Sequence, residues 1–371
     1  MKIAFVSFGF AEYCVRLASA LPSSATILLL LPRKQAEPYA HLLDPSVDLQ
    51  LFDAPRLRQL SRQLKTVTGL TKKIRRFAPD IIHLQAAHPW FVLALPFLKQ
   101  WPLVLTVHDC KLHPGDRASS RTPQVVARFT CRRANQIIVH SDHVRQQMMR
   151  QFPTLRDRLH LVPHIQLGQE VDGQDTVADR HPKVLFFGRI WKYKGLEYLI
   201  RAEPFITSRV PGARIVIAGQ GEDLARYRKM MVHPEHFEVH NEYISDGYRT
   251  EIFTQASLVV LPYIEASQSG VIPLAYTYGK PVIVTKVGGL PEMVENERTG
   301  LCVHPRDEQA LANAIVRLLT DEQLCRQMGE NARHKVNTEY SPAAVAKNTL
   351  QVYSRALGGL AERRYAPALT I

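Results

Sequence analysis

The stretch "FFGRIWKYKGLEYLI" carries the most usable chemistry in this chain. An apolar run ends at Gly188, and Arg189 and Lys194 follow before a helix-like segment opens near Gly195. Two cations at a strand's carboxyl end, beside the free amides of a helix N-terminus, make a receptor for a diphosphate. The plain alternative is a pair of solvated basic residues in a loop. A second anion site strengthens the first: in "SQSGVIPLAY", Ser269 and Gly270 open a helix, and their small size lets amides approach a phosphate. An ordinary polar cap would look the same.

These residues need strands and helices to hold them. In the first half, strand-like runs recur as "KIAFVSF", "ATILLLL", "DIIHL", "PLVLTVH", "QIIVH" and "LHLVP", with helix-like segments between most of them. A polar, aperiodic stretch, residues 166–182, reads as a linker. The pattern then restarts with "KVLFFGRI", "ARIVIAG", "HFEVH", "SLVVLPY", "KPVIVT" and "GLCVHP", and three helical segments close the chain. Alternation of this kind predicts an α/β protein of two Rossmann-like domains, each a parallel sheet between helices. The expected division is 1–165, the linker 166–182, a second domain over 183–340, and a C-terminal helix and tail over 341–371. Ligands of such sheets bind outside the carboxyl ends of the strands, so an active site is expected where the two domains face each other.

A length of 371 residues agrees with two domains, and a hydrophobic fraction of 46% describes an ordinary globular chain. The segment "MKIAFVSFGF" reads as a first strand and turn, not a signal peptide, and no apolar run reaches the roughly 20 residues that span a bilayer. Five scattered cysteines without a Cys-x-x-Cys pair argue for a reducing, cytoplasmic setting and against a cysteine-rich zinc site. The net charge of +13 is unevenly placed. Residues 1–165 hold 23 Lys and Arg against 10 Asp and Glu, while residues 166–371 hold 24 of each. The first half is therefore expected to meet something anionic. The densest part, residues 55–79, repeats Leu57, Leu60, Leu64, Val67, Leu70 and Ile74 at three- and four-residue steps among Arg and Lys. That is a basic amphipathic helix, suited to an anionic membrane surface or, for its stripe, to packing on its own domain.

The motifs "GR-x4-KG", "AGQGE", "LPY-x-E", "GKPVIVT" and "GGLPEMV-x4-TGLCV" occur in that order. Together they resemble the C-terminal domain of glycosyltransferase family 4, retaining enzymes of the GT-B fold, across residues 183–320. The first half resembles the family more loosely, through "TVHD" and "ANQIIVHSDHVRQQM". The resemblance implies that Arg189 and Lys194 hold the donor diphosphate in place of a metal ion, and no Asp-x-Asp signature points to one. It implies that Glu265 contacts donor-sugar hydroxyls, and that Gly188, Gln268, Ser269, Gly270 and Val271 face the phosphates. Gly219, Glu222, Asn241, Tyr243 and Ile244 would line the base pocket. His108, which otherwise reads as a capped turn beside Asp109, would face the sugar from the first domain, with Gly9 and Phe10 on the acceptor side. No cofactor or metal is expected beyond the nucleoside diphosphate sugar.

One family feature is missing. The Glu-x7-Glu motif should place a second glutamate, which grips the ribose, on the helix before Gly279. Counting from Glu265 reaches Pro273, and aligning back from Gly279 reaches Leu274, so neither register supplies a carboxylate. The pattern reads as a sub-branch in which main chain, or Glu292 after the Gly-Gly turn, replaces that grip, or in which the sugar is a deoxyribose. The implied reaction is transfer of a hexose to a saccharide or lipid-linked acceptor at the inner membrane face. The aromatic run holding Trp90, Phe91, Phe97 and Trp101 offers either core packing or membrane contact. Rival readings are another GT-B enzyme class, a nonenzymatic nucleotide-sugar or nucleic-acid binder, and an inactive homologue. Nucleic acid is not expected as a partner, because no aromatic-interleaved recognition module accompanies the charge.

Overall fold

The computed structural model describes residues 1–110, 113, 122–170 and 181–365, the last seven without side chains. They form two compact units. Most of the expected linker lies outside the described residues. Its first residues, Gln166 to Glu170, belong to the second unit, as does His113.

The first unit is a parallel sheet of strands β1 (Lys2–Ser7), β2 (Thr26–Pro32), β3 (Asp48–Phe52), β4 (Ile81–Gln85), β5 (Leu103–Val107), β6 (Gln136–Val139) and β7 (Leu159–Leu161). Their order is β3-β2-β1-β4-β5-β6-β7. Helices α1 (Ala11–Ala20), α2 (Arg33–Ala36), α3 (Leu60–Phe77), α4 (Gln124–Arg133) and α5 (Asp142–Gln151) connect them, with a 3₁₀ segment at Phe91–Leu98. Strand β3 escapes the sequence pattern because "DLQLF" is an edge strand with only Phe52 buried, so it lacks the continuous apolar run of its neighbours.

The second unit has strands β8 (Lys183–Phe187), β9 (Arg214–Ala218), β10 (Phe237–His240), β11 (Leu258–Leu261), β12 (Val282–Thr285) and β13 (Gly300–Val303), in the order β10-β9-β8-β11-β12-β13, all parallel. Its helices are α6 (Leu196–Thr207), α7 (Ala225–Arg228), α8 (Asp246–Gln255), α9 (Val271–Thr277), α10 (Leu290–Met293), α11 (Glu308–Thr320) and α12 (Glu322–Thr338). Side-chain alternation supplies both faces. Val184, Phe186, Ile215 and Ile217 join one cluster, while Leu185, Val216 and Ala218 join the opposite one. Asp307 and Asp321 cap α11 and α12 by accepting from the amides of Ala310 and Leu324, as their acidic openings suggest. The last helix, α13 (Pro342–Tyr365), belongs to the first unit, where it packs on α1 and on β4 to β6.

In each sheet the connections reverse direction at one point, between β1 and β4 and between β8 and β11. The crevices at the carboxyl ends of those strand pairs are where such sheets take ligands.

Candidate functional site

In the second unit the residues singled out for anion binding do gather at the β8–β11 reversal. Strand β8 ends at Phe187, and Gly188 follows with a φ of +112°. Its neighbour Gly219, after β9, has φ +144°, and a Cβ there would stand 1.9 Å from the Gly188 carbonyl. Only glycine permits the two loops to pass this closely. Beyond them Arg189 is exposed, and one Nη donates to the Tyr193 hydroxyl at 3.4 Å. Lys194 is 9% exposed, with its Nζ 3.7 Å from the centroid of the Tyr263 ring and 5.1 Å from that of Tyr193. The ammonium thus lies against two ring faces, which attract it. Burial raises the Tyr263 hydroxyl to about 12, against the opposing pull of its hydrogen bond with Ser269 and of the Arg189 charge, so it stays protonated. Its oxygen lies 3.3 Å from Ser269 Oγ, which also accepts from the Val271 amide that opens α9.

After β11 the chain runs through Glu265 and Gln268 into that helix. Glu265 is half-buried, and His113 Nδ1 lies 3.3 Å from its Oε1. The other ring nitrogen of His113 lies 3.2 Å from Ser267 Oγ, and the ring stacks on Tyr193 at 4.8 Å. Gln268 carries a buried Oε1 with no hydrogen-bond partner among the described residues, an acceptor aimed at something else. Gly288 presses against this loop: its φ is +54°, and a Cβ would sit 1.6 Å from the Ala266 carbonyl. Exposed Glu292 follows in the first turn of α10.

Asn241 ties the residues expected near the base together. Its Oδ1 accepts from the Gly221 amide at 3.2 Å and its Nδ2 donates to the Glu222 carbonyl at 3.3 Å. The Glu222 carboxylate itself is engaged by Tyr227 and Arg226, so this loop offers main chain more readily than a free acid. Tyr243 is 71% exposed and Ile244 half-buried.

The two positions where a second glutamate was sought are interior. Pro273 is buried, and its carbonyl accepts from Thr277; Leu274 is 3% exposed, with its side chain against Gly168. A carboxylate at Leu274 would be buried among apolar groups, so the substitution belongs to the packing of α9 on Gln166–Glu170.

The first unit places its candidates at the β1–β4 reversal. Phe10 holds a left-handed backbone, φ 56°, at the start of α1, a conformation costly for a bulky residue. Its ring stacks on His108 at 3.9 Å and 10°. His108, after β5, accepts at Nε2 from Gln85 Nε2 at 2.9 Å, which places its proton on Nδ1. That Nδ1 has no partner among the described residues. Burial, then the nearby His140, His164 and His83, push its pKa well below the ordinary value, so the ring is a neutral donor. Gly9 lies beside it, its carbonyl accepting from Ser7 Oγ.

Sequence reasoning missed His113, Tyr193 and Tyr263. The aromatics sit inside quoted motifs, but nothing in a linear motif shows that rings hold the lysine. His113, five residues after His108 in "HDCKLHP", was the available signal for the third.

The family described as Glycosyltransferase Family 4 matches residues 9–165, and Glycosyl transferases group 1 matches residues 181–321. The chain is 28% identical to alpha-D-kanosaminyltransferase of Streptomyces kanamyceticus, covering 76% of this chain and 79% of that protein. It is 28% identical to D-inositol 3-phosphate glycosyltransferase of Corynebacterium glutamicum, covering 81% and 78%. Among solved structures, sucrose-phosphate synthase of Thermosynechococcus elongatus matches with a TM-score of 0.73 at 20% identity, over 97% of this chain and 100% of that one. HepE of Anabaena, solved with UDP-glucose, matches with a TM-score of 0.72 at 19% identity, over 95% and 99%. Fold and family matches together define a GT-B glycosyltransferase. The chain belongs to glycosyltransferase family 4.

Proposed function

We propose that this glycosyltransferase moves a hexose from a nucleoside diphosphate sugar, with retention of anomeric configuration and without a metal ion, to a saccharide or lipid-linked acceptor at the cytoplasmic face of a membrane. The observation that carries the donor reading is the pair Arg189 and Lys194 at the end of β8, beside the loop of Glu265, Gln268 and Ser269. The two cations stabilise the charge that grows on the departing diphosphate, and Glu265 and Gln268 accept hydrogen bonds from sugar hydroxyls. Retention follows from the family resemblance: the acceptor hydroxyl attacks on the face that the diphosphate leaves, and a phosphate oxygen takes its proton. Main chain around Gly221 and Glu222, or Glu292, takes over the ribose grip that Pro273 and Leu274 do not supply.

A thermal-shift and hydrolysis screen against UDP-, GDP-, ADP- and dTDP-sugars tests this reading. It begins with UDP-glucose, with which the Anabaena neighbour was solved. One donor is expected to raise the parent's Tm and to be hydrolysed slowly, and Arg189→Ala should lose both effects. A parent that no donor stabilises would favour an inactive homologue.

The membrane reading rests on the first unit. In α3, Val67, Leu70 and Ile74 pack inward, while Leu60 and Leu64 are 59% and 45% exposed. The neighbouring 3₁₀ segment and α4 expose Leu93, Phe97, Val125 and Phe129. Exposed Arg62, Lys65, Arg128 and Arg132 lie on the same elements. Of the aromatic run, Phe91 is core, Trp90 donates to the Leu57 carbonyl, and Phe97 is 64% exposed. No helix among the described residues is long and apolar enough to cross a membrane, so contact would be at a surface. The protein should cosediment with phosphatidylglycerol vesicles and not with phosphatidylcholine vesicles, and Leu64→Glu with Phe97→Glu should release it. Equal binding to both lipids would refute the charge argument.

A further inference from the structure

On the second unit, away from the donor loops, three groups meet that the transfer reaction does not use. Glu203 lies in the last two turns of α6 and is fully buried. Its Oε1 is 2.6 Å from His236 Nδ1 and 3.1 Å from His233 Nδ1, and it also accepts from Thr207 Oγ1 at 2.9 Å. His233 and His236 bracket a single 3₁₀ turn, Pro234–His236, and three residues per turn brings positions three apart onto one side. The imidazole and carboxylate ligand atoms all lie within 4.8 Å of one another.

We infer that Glu203, His233 and His236 form a binding site for zinc that fastens α6 to the start of β10. Two imidazole nitrogens and one carboxylate oxygen are the donors that suit this ion, and a water would complete a four-coordinate set. With bonds of about 2.0–2.1 Å, tetrahedral ligands stand roughly 3.3 Å apart, close to the spacings already present. Entry is open, because the His233 side chain is 43% exposed and that of His236 20%. In the metal-free state both Nδ1 atoms carry a proton and donate to Glu203. On binding, each ring carries its proton on Nε2 and gives its Nδ1 lone pair to the metal. A divalent cation also offsets the cost of keeping the fully buried Glu203 carboxylate away from water. Thr207 orients the carboxylate from behind, as outer-shell partners of metal ligands do.

The role is structural. Glu203 is eight residues along α6 from Gly195, about 12 Å by helical rise. The turn that bears His233 and His236 leads into the amino end of β10, whereas Arg189 and Lys194 follow the carboxyl end of β8. The inference is independent of which donor the enzyme uses.

The test uses the full chain, stripped with a chelator and dialysed against zinc alone without nucleotide. About one equivalent should bind, and zinc at a hundredfold excess over its dissociation constant should raise Tm by roughly 5 °C. His233→Ala and His236→Ala should each lose both the equivalent and the shift. Glu203→Gln should lose them too; if that variant fails to fold, the two histidine variants decide. Absence of bound zinc in the parent after dialysis against zinc overturns the inference. So does a His233→Ala, His236→Ala double variant that keeps a full equivalent and the same shift.

Discussion

Lys194→Met is expected to lower the rate of sugar transfer by about 10²- to 10³-fold while leaving the fold and most of the stability intact. Methionine fills the space of the lysine stem and still packs against aromatic rings, so what the substitution removes is the charge. That charge sits over Tyr263 at 3.7 Å, at 9% exposure, where water screens it little. A cation fixed there before the reaction begins needs no reorganisation as the bond to the diphosphate breaks. The loss should therefore fall on kcat, with a smaller change in the KM for donor, once the screen has identified that donor. Equal losses of donor affinity and kcat/KM with kcat unchanged would mean that Lys194 binds ground state and transition state alike. Arg189 is more exposed and is tethered through Tyr193, so Arg189→Lys should retain part of the activity that Arg189→Ala loses.

Lys194 also shows how far the sequence reaches. Its position after a buried strand and before a helix was legible, because Val184 to Phe186 are a continuous apolar run and Gly188 and Gly195 mark the turns. The same logic located both sheets, twelve of whose strands read as short apolar runs or alternations; β3 did not, since an edge strand buries little. The rings that hold Lys194 were not legible as such. Tyr193 is its sequence neighbour, but Tyr263 comes from β11's far end, and only the parallel pairing of β8 with β11 brings them together. His113 was missed for a related reason: its partner Glu265 lies 152 residues away. The sequence shows Pro273 and Leu274 where a second glutamate is expected, but the packing of Leu274 against Gly168 is tertiary and was not legible there.

The first unit should lose stability steeply in mild acid. His83 and His140 are fully buried, and burial first, then a neighbouring histidine, lowers each to about 3; burial alone lowers His88 to about 4. His83 lies between Tyr353 and Thr106, its ring stacked on Phe5 at 4.5 Å. His140 donates from Nδ1 to the Val162 carbonyl, leaving a buried Nε2 without a partner among the described residues. The unfolded chain protonates these rings below about pH 6.5, whereas the folded unit resists until pH 3–4. Their contribution is therefore complete above pH 6.5 and shrinks as pH falls, because unfolding takes up protons. Between pH 6.5 and 5 each costs about 2 kcal/mol, and three together approach the whole stability of a typical domain. Urea unfolding of a Trp191→Phe background, followed by the fluorescence of Trp90 and Trp101, reads the first unit alone. Its stability should fall with a slope of several kcal/mol per pH unit, and His140→Gln should reduce that slope by about 1.4 kcal/mol per pH unit. A flat profile from pH 7 to 5 would mean that these rings are hydrated, and that His108, packed beside His140 at 4.9 Å, is not held neutral by its surroundings.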